Sequence, residues 1–73
     1  MSLEVGDLVH IDKIPEGLDR ETRQVFERCR GHLFRIAGFD RGLVELEVGE
    51  AFGEPEYLRS IWIEPQLVSK RPD

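Results

Sequence analysis

Residues Phe34 to Val48, "FRIAGFDRGLVELEV", decide the reading of this chain. In the second half Val44, Leu46 and Val48 alternate with Glu45 and Glu47, the two-residue period of a strand with one face buried and one wet. In the first half Phe34 and Ile36 share a face with Arg35 on the other, and Gly38 interrupts the pattern where a bulge or a close approach fits. Asp40-Arg41-Gly42 between the halves supplies turn chemistry. Residues 33–48 therefore predict a β-hairpin with Val44, Leu46 and Val48 turned inward.

Upstream, "GDLVHI" reads as a strand entered through a turn at Gly6-Asp7, with Val9 and Ile11 inward. "KIPEGLD" is a connector, because Pro15 and Gly17 both interrupt regular structure. Asp19 is placed to cap a helix over residues 20–30 that ends at Gly31. Thr22, Val25, Phe26 and Cys29 form one narrow apolar stripe on it, so the helix lies on something with its other face wet. Asp19 with Arg23 and Glu27 with Arg30 have the spacing of ion pairs.

Downstream, "GEAFGEPE" reads as a loop, and "YLRSIWIEP", residues 57–65, returns to strand character with Ser60, Ile61, Trp62 and Ile63 until Pro65 ends it. "PQL" suits one 3₁₀ turn before a short last strand "LVSK", with "RPD" a frayed tail. If Ile61 and Ile63 point inward, Trp62 points outward. It then goes either beneath the helix stripe of Val25, Phe26 and Cys29 or open to a partner, and the helix's need for apolar surface favours the first.

The 73 residues suffice for one domain with one core, and Met1-Ser2-Leu3 reads as a cloning remnant. No apolar run reaches the roughly 18 residues of a membrane span, and no basic segment followed by an apolar one marks a secretory signal. Cys29 is the only cysteine, so no intrachain disulfide can form, which points to a reducing compartment and hence the cytoplasm. A net charge of -5 disfavours polyanion partners.

The segments "GDLVHI" (Gly6 to Ile11), "FRIAGFDRGLVELEV" (Phe34 to Val48) and "IWIEPQLV" (Ile61 to Val68) together resemble a small SH3-like barrel. The likeness is greatest to bacterial SH3-like domains that stand alone or serve as accessory pieces of enzymes. It implies a mainly β fold: a five-stranded SH3-like barrel with one short α-helix inserted after the first strand, capping one mouth, and a 3₁₀ turn before the last. The first strand lacks the aromatic-rich start of SH3 domains that bind proline-rich peptides, and "KIPEGLD" is a poor match to a ribosomal KOW turn.

No nucleophile elbow, phosphate loop or His-Glu-x-x-His pattern is present, and the Glu45 and Glu47 carboxylates read as a solvated strand face, so an enzyme is not expected. His10, Cys29 and His32 are too few soft ligands for a zinc site, and no metal or cofactor is expected. Two surfaces remain. Trp62, Tyr57 and Phe52, with Glu54 and Glu56, are the candidate residues for binding a protein partner, an aromatic group beside acids. Arg20, Arg23, Arg28, Arg30 and Arg35 are the alternative, a nucleic-acid surface, but neighbouring acids nearly neutralise them. The acids Glu45, Glu47, Glu50, Glu54 and Glu56 opposite that arginine-rich helix also allow self-association through complementary charge. The expectation is a non-enzymatic protein-interaction module or accessory subunit.

Overall fold

The structure, a computed structural model, describes residues 2–71. Five strands form one antiparallel sheet: β1 (Leu8–Ile11), β2 (Phe34–Asp40), β3 (Leu43–Glu47), β4 (Ser60–Ile63) and β5 (Val68–Lys70). A single α-helix, α1 (Arg20–Cys29), lies between β1 and β2. The strand order is β4-β3-β2-β1-β5, so the chain meanders through four strands and returns to pair the last with the first. The sheet is not closed: β4 and β5 are its two edges.

The β2–β3 hairpin follows the alternation of its sequence. Arg41 and Gly42 both take positive φ, +50° and +79°, the two-residue turn whose twist matches that of the flanking strands. Glycine reaches that backbone without a Cβ clash, whereas Arg41 does so at some strain. The register shifts between Ile36 and Gly38, so Ala37 is the extra residue of a bulge. Phe34 and Ile36 stay inside before it, and after it Phe39 comes opposite Val44.

Asp19 accepts a hydrogen bond from the Thr22 backbone N–H at 2.7 Å, closing the first turn of α1. That bond holds the Asp19 carboxyl below its ordinary pKa, because it favours the charged form. The expected ion pairs are rearranged: Asp19 caps, and Arg23 sits 3.7 Å from Glu27 instead. Of the apolar stripe, Phe26 and Cys29 enter the core, while Thr22 and Val25 stay half-buried.

One cluster of buried residues collects Val9, Ile11, Phe34, Ile36, Val44, Leu46, Ile61, Ile63 and Val68 from the strands and Phe26 and Cys29 from the helix. Leu3 packs against it, so the third residue is part of the fold. At the other end Arg71 donates its N–H to the Leu8 carbonyl at 2.9 Å, extending the β1–β5 ladder; the last two residues of the expected frayed tail, 72 and 73, lie outside the described residues.

The segment expected as a plain loop folds into two 3₁₀ turns, Gly49–Phe52 and Glu56–Leu58. Gly49 makes this compaction feasible. A Cβ built on it would lie 2.0 Å from the Pro55 carbonyl oxygen, so only glycine lets the two backbone segments approach.

Candidate functional site

A groove of about 740 Å³ lies between α1 and the edge strand β4. Its helix wall carries Glu21, Thr22, Val25 and Phe26, and the connector adds Pro15 and Leu18. Its strand wall is Leu58, Arg59, Ser60, Ile61 and Trp62, with Val48 at the floor and Glu64 at one end. An open, mostly apolar groove of this size with few polar groups at its rim is the usual form of a binding site.

Trp62 lies on this wall with 43% of its surface exposed. Its parity is as expected, between inward Ile61 and Ile63, but the helix does not cover it. The reason is where α1 docks: it inserts Phe26 and Cys29 into the core, and the rest of its stripe, Thr22 and Val25, lines the groove opposite β4 without closing over Trp62. Opposite Trp62 on the outer face of β3 is Glu45, and opposite Ser60 is Glu47.

The other aromatic candidates do not converge with Trp62. Tyr57 is 69% exposed on the second 3₁₀ turn and does not line the groove, although its neighbour Leu58, 57% exposed, does. Phe52 carries the Arg59 guanidinium 4.5 Å and the Arg28 guanidinium 5.3 Å from its ring centroid, so cation–π positions beside it are occupied by the protein's own arginines. Glu54 is held by Arg59 at 2.6 Å, and Glu56 stands exposed. Phe52, Glu54, Arg28 and Arg59 therefore form one internal cluster that braces the 3₁₀ turns against α1, reinforced by an Arg28 hydrogen bond to the Ala51 carbonyl at 3.0 Å.

The arginines clustered in sequence are held in different ways. Arg20 and Arg30 flank opposite ends of α1, Arg23 is paired with Glu27, Arg28 is held by the Ala51 carbonyl, and Arg35 donates to the Gly6 carbonyl at 2.9 Å from the outer face of β2.

Two further groups of chemically capable residues have structural roles. Burial pushes the Cys29 thiol up to about 11, leaving it neutral and enclosed by the core, and His32 stacks on Phe34 with centroids 5.9 Å apart. His10 lies 2.9 Å from Asp12, whose second carboxylate oxygen accepts the Ser69 hydroxyl, on the half-exposed β1–β5 surface. There the aspartate stands between the two, so the serine hydroxyl donates to a carboxylate and the imidazole pairs with the other carboxylate oxygen, not with the serine. Among the described residues no group of three or more His, Cys, Asp or Glu side chains is arranged to hold a metal ion. No helix among them is long and apolar enough to cross a membrane.

Pro15, Leu18 and Val25, which line the groove opposite β4, gave no functional signal in the sequence: each reads as a connector or stripe residue until α1 is seen standing off β4. Comparison with family models, with curated proteins and with solved structures gives no match to this chain.

Proposed function

We propose that the chain is a non-enzymatic protein-interaction module, an accessory subunit of a cytoplasmic bacterial complex, whose partner seats in the groove between α1 and β4. The observation that carries this is the groove itself: a concavity of about 740 Å³ with Trp62 and Leu58 exposed on its strand wall. A tryptophan on a strand loses little conformational freedom on binding and brings a large contact area, which is why such residues dominate interface energetics. The further reading of the fold as an SH3-like barrel rests on a five-stranded order in which β5 returns to β1, with the helix following β1.

The test is affinity capture from an extract of the source cell at low and moderate salt, with wild type and Trp62→Ala side by side, followed by direct binding to the purified partner. The proposal expects Trp62→Ala to lose the partner and keep its fold. Capture unchanged by Trp62→Ala, or a folded variant that retains full affinity, refutes it.

A further inference from the structure

The strand wall of the groove is also an open sheet edge. Val48 donates its N–H to the Arg59 carbonyl at 2.8 Å, and the register pairs Leu46 with Ile61 and Val44 with Ile63. In an antiparallel ladder hydrogen-bonded and non-hydrogen-bonded pairs alternate, so Arg59, Ile61 and Ile63 bond to β3 while Ser60 and Trp62 turn their N–H and C=O groups away from it. Among the described residues no backbone hydrogen bond outside the ladders reaches Ser60 or Trp62.

The two edges of the sheet differ. β5 is three residues long and ends in Lys70, a short edge with the charge that discourages pairing. β4 has neither lysine nor proline within Ser60–Ile63, and its free side opens into the groove.

We infer that the groove takes an extended peptide segment of alternating apolar and basic residues, added to β4 as a further antiparallel strand. This rests on the interaction-module reading above and names its mode and partner chemistry. Residues on one face of the incoming strand lie beside Ile61 and meet Val25 and Leu18 across the groove, which calls for apolar side chains. Residues on the other face lie directly beside Trp62 and Ser60. There Glu45 and Glu47 stand opposite on β3 and Glu64 closes the end, while Arg59 is already neutralised by Glu54. A lysine or arginine on that face meets both the Trp62 ring and the surrounding carboxylates. A second copy of this chain pairing through its own β4 would set the same carboxylates against one another, so the charge favours a basic partner strand over a self-dimer.

The test uses a capped synthetic peptide alternating valine and lysine, the same peptide with glutamate for lysine, and one N-methylated at every lysine amide. Each is titrated into the full chain with amide hydrogen exchange read residue by residue. In the free protein the Ser60 and Trp62 amides exchange fast while Ile61 and Ile63 are protected. The valine–lysine peptide slows Ser60 and Trp62 at least tenfold, added salt weakens its binding, and the glutamate and N-methylated peptides fail. Groove residues that shift without slowing of those two amides overturn strand addition and leave the interaction reading intact. Equal binding of the glutamate peptide overturns the basic preference. A valine–lysine peptide bound more weakly than about 1 mM overturns the inference as a whole, while the Trp62→Ala capture separately decides the interaction reading.

Discussion

Replacing Gly49 by alanine tests whether the wall carrying Leu58 is held by close backbone approach. The new Cβ would lie 2.0 Å from the Pro55 carbonyl oxygen and 2.8 Å from its carbonyl carbon, well inside van der Waals contact. Both obstacles are backbone, so no side-chain rotation relieves them, and the 3₁₀ turns must move apart. Overpacking of this kind costs about 1–3 kcal/mol and sometimes more, and the depth of the overlap puts Gly49→Ala at the upper end, about 3 kcal/mol. A domain of this size has roughly 4–11 kcal/mol in total and loses about 4–8 °C of Tm per kcal/mol. Gly49→Ala should therefore melt about 12–24 °C below wild type by circular dichroism, with a matching fall in the urea midpoint. Gly38→Ala is the control, because its Cβ meets only the Glu45 carboxylate oxygen at 3.6 Å, an ordinary contact, and its melting temperature should stay within about 4 °C of wild type. A Gly49→Ala protein as stable as wild type, or a Gly38→Ala protein as damaged as Gly49→Ala, refutes the close-approach argument.

Three other outcomes follow from named groups. Arg41→Asn should raise stability by up to about 1 kcal/mol, since asparagine tolerates the left-handed backbone at the first turn position better than arginine; an unchanged urea midpoint counts against strain there. Asp19→Ala should lower the melting temperature at neutral pH. Because the folded pKa of Asp19 is depressed, its contribution is present above the unfolded carboxylate value and lost as pH falls through the folded one, so wild type and variant should converge in acid. Cys29 has its folded pKa raised from 9.0 to about 11, so the unfolded chain gives up this proton first and stability should decline with pH across that interval. A Cys29→Ala background should remove that decline, and the native thiol should react with disulfide reagents only as fast as the core opens.

The hairpin was legible because its information is local: alternation sets the faces, Arg41-Gly42 sets the turn, and Gly38 announces the bulge. Trp62's outward direction was legible for the same reason, through Ile61 and Ile63 on either side. What covers Trp62 was not, because that depends on how far α1 stands from β4, a tertiary distance set by Phe26 and Cys29 in the core. The internal cluster of Phe52, Glu54, Arg28 and Arg59 was hidden likewise, since Arg28 and Phe52 lie far apart in sequence and the folding of the 49–58 segment brings them together. Aromatic residues beside acids read as a partner surface in one dimension; in three, Phe52 and Glu54 are occupied and only Trp62 lies in the groove.

The central claim is that the groove between α1 and β4 is where this chain meets a protein. The most direct measurement is the affinity of wild type and Trp62→Ala for the same purified partner, with thermal melts of both. A central tryptophan at an interface carries about 2 kcal/mol or more, so Trp62→Ala should bind at least about 30-fold more weakly while its melting temperature stays within about 5 °C of wild type. Equal affinities would contradict the claim, and so would a Trp62→Ala protein that loses its partner only because it no longer folds.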